Sequence, residues 1–340
     1  MNVALDAWLG AVPTAVADRI RDARDVLVVS HENPDADTLG AALAMRAIVE
    51  AGAGRASLIC SDVPPPLYDF LLGIHEFGTD PEAGRAYDLL VLVDCGSLDR
   101  VGPVRERHAA LFERLPAVVI DHHASNGAAG PADWVDPDAA ATCELVALLA
   151  ANLGVPLAAG DGALATALMA GIVMDTATFA HPNATPRTLA VSAALVAAGA
   201  PLADISRWLY RTKPDVQLRL FGRVLDRLET AGGGLVVHST LMAVDLTETG
   251  AMSAHSEGII DLLSQSEAAE VAILFKEAGP ATTRISVRTK PGGVDATVLT
   301  GLFGGGGHAR AAGASLPAAV GEARALVLPQ AERLAAAVRR

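Results

Sequence analysis

Four short apolar runs, Val26–Ser30, Ala56–Cys60, Leu89–Val93 and Ala117–Ile120, alternate with longer segments such as the alanine-rich Leu39–Ala51. Runs that are apolar at successive positions, rather than at alternate ones, predict strands buried on both faces. Interleaved with helical segments, they specify an open α/β fold built on a parallel sheet, where ligands bind beyond the carboxyl ends of the strands. Three of the four runs lead directly into acids or imidazoles. The first opens onto His31, Asp35 and Asp37, the third ends in Asp94, and the fourth ends in Asp121-His122-His123. A parallel sheet gathers such endings at one edge, although they lie about 30 positions apart in sequence.

Helical patterns dominate from about Ala141 to Leu228, punctuated by Pro182, Pro186, Pro201 and Pro214. The pattern changes at Gly232-Gly233-Gly234. Beyond it Leu235–Thr240, Ala269–Phe275 and Thr283–Thr289 read as strands, interleaved with helices near Glu257–Leu263 and Ala296–Phe303. The expected organisation is therefore a first domain over 1–186, a helical linker over 187–229 and a smaller α/β domain over 230–340.

The chain's 340 residues are 51% hydrophobic, but the longest apolar stretches are cut by Asn152, Pro156, Asp161 and Asp175. None approaches the roughly 20 apolar residues of a spanning helix, so no membrane association is expected. Asp6 close behind Met1, with no basic segment, does not read as a signal peptide. Cys60, Cys95 and Cys143 form no CxxC pair, which fits a reducing cytoplasm better than a disulfide framework. Residues 1–213 hold 14 basic and 26 acidic side chains of the chain's 26 and 39. Such a charge would repel a long phosphate backbone, so no extended duplex is expected as a partner, whereas divalent cations are favoured.

His31, Asp35, Asp37, Asp94 and His122, with Asp175 after the apolar stretch Ala170–Met174, mix carboxylate and imidazole. That donor set suits a borderline-hard divalent ion such as Mn²⁺, and the lack of thiolates makes structural zinc a poor fit. Any one of these acids alone reads as a helix cap or turn former. Their recurrence at like positions favours a metal site. A second cluster is Phe303-Gly304-Gly305-Gly306-Gly307-His308-Ala309-Arg310, where bare backbone amides and two side-chain donors could grip phosphate. Gly305, Gly306, Gly307, His308 and Arg310 are its candidate binding residues, together with Arg288. In the alternating strand Arg284–Thr289, Arg284, Ser286 and Arg288 share a face. The bland alternative for the glycine run is a flexible turn.

Taken in order, HENPDADTLG (31–40), VDCGS (93–97), DHH followed by Ala124-Ser125-Asn126, Met174-Asp175-Thr176 and GGGGHARAAG (304–313) resemble the motifs of the DHH phosphoesterases. The last resembles the hallmark of the DHH-associated C-terminal domain, and the match spans about residues 15–315. The two-domain layout is similar to the bacterial nano-RNase/pAp phosphatase group. It departs at Ala36, where many relatives carry Gly, and at Ala309, where many carry Pro.

The resemblance implies a homodimeric hydrolase with its active site in the cleft between a DHH domain and a DHH-associated domain. It implies two divalent ions, Mn²⁺ foremost with Mg²⁺ or Co²⁺ as alternatives. One would be held by His31, Asp35 and Asp94, the other by Asp37, Asp94, His122 and Asp175. It further implies His123 on the scissile phosphate, Asp121 supporting it, and attack by a water activated at the metal pair. Short oligoribonucleotides and pAp are the implied substrates. The alternatives are cyclic di-AMP or pApA phosphodiesterase activity, and RecJ-type single-strand DNA exonuclease activity.

Overall fold

The structure is a computed structural model that describes residues 5–124, 126 and 132–338. The chain forms two compact units, Met1–Thr212 and Lys213–Arg340, so the division falls inside the segment expected to be a linker.

The first unit runs α1 (Thr14–Asp22), β1 (Asp25–Val29), α2 (Ala36–Ala51), β2 (Arg55–Ile59) and β3 (Leu89–Val93). Short helices α3 (Pro103–Arg107) and α4 (Ala109–Arg114) lead to β4 (Ala117–Asp121) and the two-residue β5 (Trp134–Val135). The sheet has the order β2-β1-β3-β4-β5 and is parallel throughout. Successive side chains point to opposite faces, which is why the apolar runs are continuous. Val26, Val28, Leu89, Val91 and Val93 pack under the helices α2, α5 (Thr142–Asn152) and α6 (Ala163–Asp175). Leu27, Val29, Leu90 and Leu92 pack on the other face with Val101, Val104 and Leu115. Nine α6 residues from Leu164 to Val173 are buried, as befits a helix apolar on all sides. α7 (Pro186–Ala197) and α8 (Leu202–Ser206) close the unit, and a π turn over Arg207–Arg211 continues α8.

The sheet order reverses direction between β1 and β3, the switch point at which open α/β sheets leave a crevice. His31 follows β1 and Asp94 follows β3, so the acidic endings stand where the topology provides room.

The second unit opens with α9 (Asp215–Asp226), β6 (Glu229–Ala231), β7 (Val236–Leu241), α10 (Ala243–Thr249), α11 (Ile259–Leu263), β8 (Val271–Gly279) and β9 (Thr282–Thr289). It ends with α12 (Ala296–Gly301), β10 (Gly306–His308), β11 (Ala311–Leu316) and α13 (Val320–Val338). Its mixed sheet has the order β10-β11-β9-β8-β7-β6, in which only β7 and β8 are parallel. Val236, Ile273 and Phe275 pack with α13 residues on one face, and Val237, Ala272 and Leu274 pack with α9 and α11 residues on the other. Among the described residues no single helix is long and apolar enough to cross a membrane.

Candidate metal centre

The six candidate ligands meet at the carboxyl edge of the first sheet. His31 Nε2 lies 3.5 Å from Asp94 Oδ2 and 3.9 Å from Asp35 Oδ1. His122 Nε2 lies 3.5 Å from Asp94 Oδ1, 3.9 Å from Asp37 Oδ2 and 3.1 Å from Asp175 Oδ2. Ligand atoms thus gather as His31/Asp35/Asp94 and as Asp37/His122/Asp175, and Asp94 turns one oxygen toward each histidine. A third grouping joins Asp94, His122 and His123. His123 Nδ1 is 3.6 Å from Asp94, but a 2.8 Å hydrogen bond to Asp121 claims that nitrogen.

Local structure explains each placement. Asp35 caps α2, its Oδ1 accepting from the amides of Asp37 and Thr38 at 3.0 and 3.2 Å. The cap reading of this acid therefore holds, while the same side chain stands within the His31/Asp35/Asp94 group. Asp37 is fully buried, and both its oxygens accept backbone amides, from Thr142 at 2.7 Å and Cys143 at 2.8 Å. These are the first amides of α5, where the helix dipole favours an anion. The Thr142 hydroxyl donates to Asp94 Oδ1 at 3.0 Å. Asp94 itself adopts a left-handed φ of 59°, uncommon for a residue with a side chain. Asp175 comes from the C-terminus of α6, unlike the strand-borne groups. Partial negative charge there disfavours a bare carboxylate and favours a cation beside it.

His31 Nδ1 is 2.7 Å from the Glu32 carbonyl. The Arg100 guanidinium also stands 3.2 Å from Nδ1; with the Nδ1 proton donated to the Glu32 carbonyl, Nε2 presents its lone pair toward Asp94 and Asp35, the tautomer a metal ligand needs. Burial holds the His31 pKa below its ordinary value despite the pull of Asp35. Asp121 orients the DHH triplet, as its Oδ1 accepts from the amides of His122 and His123 and its Oδ2 from Asn126 Nδ2 at 2.6 Å. Burial opposes ionisation of Asp121, but the hydrogen bonds from His123 and Asn126 outweigh it and lower its pKa. Ser125 lies outside the described residues.

Crowded carboxylates raise one another's pKa. Burial, then the charges of Asp37, Asp35, Asp175 and Asp121, push Asp94 well above the carboxylate range. Asp37 is likewise raised by burial, and burial with the Asp37 charge lifts Asp175 to about 7. Burial disfavours charge on His122, yet its hydrogen bond to Asp175 and the charge of Asp37 raise it to about 9.

The glycine run takes a definite form in the second unit. It enters β10, which pairs with β11 in an antiparallel hairpin, rather than a free turn. A Cβ on Gly305 would stand 2.2 Å from the Gly313 carbonyl oxygen, and one on Gly307 (φ 141°) would stand 2.6 Å from that of Ala311. Gly306, His308 and Arg310 are exposed. Register sets His308, Ala311 and Arg288 in one row across β10, β11 and β9. The Arg288 side chain also donates to Asp261 Oδ1 at 3.0 Å.

Comparison with known proteins follows the same division. The DHH family N-terminal domain matches residues 25–172, and the DHHA1 domain matches residues 235–337. The bifunctional oligoribonuclease and PAP phosphatase NrnA of Thermus thermophilus is 31% identical over 92% of this chain and 89% of its own. The chain belongs to the DHH phosphoesterase family. The Bacillus subtilis protein of the same name is 24% identical over 86% of this chain and 89% of its own. The crystal structure of an exopolyphosphatase-related protein from Bacteroides fragilis shares the fold. It has a TM-score of 0.84 and 20% identity, and the match covers 99% of this chain and 97% of that one.

The donor set fits the divalent ions that a DHH protein uses. Metal bonds of about 2.0–2.2 Å place neighbouring ligand atoms about 3 Å apart, close to the 3.1–3.9 Å seen between these donors. The backbone makes room for them. A Cβ on Gly171 of α6 would stand 2.4 Å from Asp37 Oδ1, so only glycine lets the helix pass this carboxylate. Sequence reasoning missed Thr142 and Gly171. The first was detectable as the start of an apolar helix, a natural anion site, whereas a glycine inside an apolar helix gave no signal of its own.

Proposed function

We propose that this DHH protein is a metal-dependent phosphoesterase that hydrolyses short oligoribonucleotides and the 3'-phosphate of pAp. The observation that carries the reading is the pair of ligand groups, His31/Asp35/Asp94 and Asp37/His122/Asp175, with Asp94 between them. The names of the Thermus and Bacillus relatives support the substrate class. Two divalent ions, Mn²⁺ first among them, would be held by these residues and would supply Lewis acidity toward a phosphoryl oxygen and an attacking water.

The remaining work falls to the chain's own groups. Asp121 accepts the Nδ1 proton of His123, which leaves Nε2 as the nitrogen free to meet substrate. Protonated there, His123 donates to a phosphoryl oxygen as negative charge develops. Asp37 and Asp94 hold still because α5 supplies amides and a hydroxyl to them. In the second unit, the exposed His308 and Arg310 and the row-mate Arg288 are the groups proposed to hold a second phosphate or the sugar edge, with Gly305–Gly307 admitting close approach.

The test offers pAp, a labelled RNA dimer, a 24-mer and cyclic di-AMP in parallel with Mn²⁺ at matched concentration. Conversion of pAp and the dimer with the 24-mer nearly untouched supports the reading. Preferred opening of cyclic di-AMP moves the protein to the cyclic-dinucleotide branch. Processive loss of the 24-mer moves it to the exonuclease branch.

A further inference from the structure

The chain after Asp175 departs from ordinary backbone geometry. Ala177, Thr178 and Phe179 have φ values of 48°, 59° and 64°, three successive non-glycine residues in the left-handed region. Left-handed residues of this kind normally occur singly, and a β-branched one is an outlier. Such a run persists only where its surroundings over-determine it, and such places cluster at functional sites.

The surroundings here are specific. The Thr176 hydroxyl donates to the Ile172 carbonyl at 2.6 Å and accepts the Phe179 amide at 2.9 Å. The Thr178 amide donates to the Val173 carbonyl at 2.9 Å. The Asp175 carbonyl receives His181 Nδ1 at 3.1 Å and Asn183 Nδ2 at 3.2 Å. Two anchors come from the far end of the unit. Ser206 Oγ lies 3.1 Å from Thr178 Oγ1. The Tyr210 hydroxyl donates to the Met174 carbonyl at 2.7 Å, with the Val173 carbonyl at 3.4 Å. Tyr210 belongs to the π turn Arg207–Arg211, a widened form of helix that recurs at functional sites.

We infer that Tyr210 is a positioning residue for Asp175. Its phenol fixes the last turn of α6, and with Ser206 it holds the left-handed turn that keeps Asp175 aimed at His122. The inference rests on the proposed metal centre. It assigns Tyr210 to one ion only, the one facing Asp37, His122 and Asp175. His31 follows β1 and Asp35 caps α2, so neither belongs to the turn that Tyr210 holds.

The experiment titrates Mn²⁺ alone into wild-type protein, Tyr210→Phe, Ser206→Ala and Tyr87→Phe, by calorimetry and by electron paramagnetic resonance of the bound ion. Tyr87 makes the control because its hydroxyl donates to Ser57 Oγ at 3.0 Å before β3, at the opposite edge of the sheet. Outer partners of metal ligands typically change affinity by about 10–100-fold. Tyr210→Phe is expected to weaken one of two Mn²⁺ sites about tenfold or more and to leave the other unchanged. Tyr87→Phe is expected to leave both sites at wild-type affinity even where it lowers Tm. Ser206→Ala removes the second anchor and carries the same expectation if Tyr210→Phe fails to fold. A wild type that binds two ions, with variants that bind both equally tightly, overturns the inference alone. A wild type that binds no pair of ions overturns the proposed function and the inference together.

Discussion

Gly171→Ala places one methyl group where α6 crosses Asp37. The added carbon would stand 2.4 Å from Asp37 Oδ1, 2.4 Å from Cys143 Sγ and 2.8 Å from Asp37 Cα. The last of these is backbone of α2 and cannot rotate away. Overpacking of this kind costs about 1–3 kcal/mol, and three sub-contact distances point to the upper half of that range. Alanine in a helix interior returns about 1 kcal/mol. The expected net loss is about 1–2 kcal/mol, or about 2–8 °C in Tm at the 2–4 °C per kcal/mol of a unit this size. Metal binding should suffer more than stability, because relief of the clash displaces Asp37 from the Thr142 and Cys143 amides. Mn²⁺ affinity at the Asp37/His122/Asp175 group should fall about 10–100-fold. Cys143→Ala in the same protein removes the sulfur clash but not the carboxylate clash. The double variant should therefore regain Tm beyond the sum of the single changes while keeping the metal defect. Thermal unfolding and Mn²⁺ calorimetry read the two quantities separately. Wild-type Tm together with wild-type affinity in Gly171→Ala would refute the reasoning, since α6 could not then pass Asp37 so closely.

Thr142→Val keeps shape but removes the hydroxyl that donates to Asp94. Turnover and Mn²⁺ affinity should drop about 10–100-fold with little change in KM, and a variant at wild-type affinity contradicts the contact's role. Arg288→Ala should raise KM for pAp and the dinucleotide at constant kcat. Its pair with Asp261 is largely solvated and contributes little to Tm; a kcat loss at unchanged KM would count against the assignment. The metal-free protein should lose Tm as pH rises from about 6 to 9. His122, raised to about 9, contributes stability that is full below its unfolded 6.5 and lost through 9. Asp175, raised to about 7, favours the folded state while protonated and stops doing so between its unfolded 3.8 and 7. Saturating Mn²⁺ displaces those protons, so its stabilisation should grow over the same range, and a metal-free Tm that climbs instead would reverse the sign.

Much of the first sheet was legible because strands buried on both faces leave continuous apolar runs. Val26–Val29 and Leu89–Val93 are such runs, and each alternates its side chains between two covered faces. The acids at their ends were legible only together, since one charge past a strand reads as a cap or turn former whereas several at like positions do not. In the second unit Thr283–Thr289 stood out by a different pattern, the alternation of a strand that covers one face more than the other. The shape of the glycine run did not. Four glycines carry no periodicity, and only pairing with Ala311–Gly313 makes Gly306 and Gly307 part of a strand.

Much of what escaped the sequence works through backbone atoms, through the absence of atoms, or through contacts distant in sequence. Asp37 is held by two main-chain amides that any residues at 142 and 143 would supply, given a helix starting there. Gly171 acts by lacking a side chain, and Ala177–Phe179 act by adopting a conformation that their side chains disfavour. Tyr210 bonds a carbonyl 36 positions away, which no local pattern encodes. Each of them aims a carboxylate that would otherwise swing from its charged neighbours. Crowding Asp37, Asp94 and Asp175 around two histidines is unfavourable for the chain alone, as their raised pKa values express. The fold therefore needs rigid restraints at every acid, from α5 at Asp37 and Asp94 and from the turn after α6 at Asp175. The same repulsion is what a divalent cation relieves, so the restraints that hold the acids together are those that make the site selective for one.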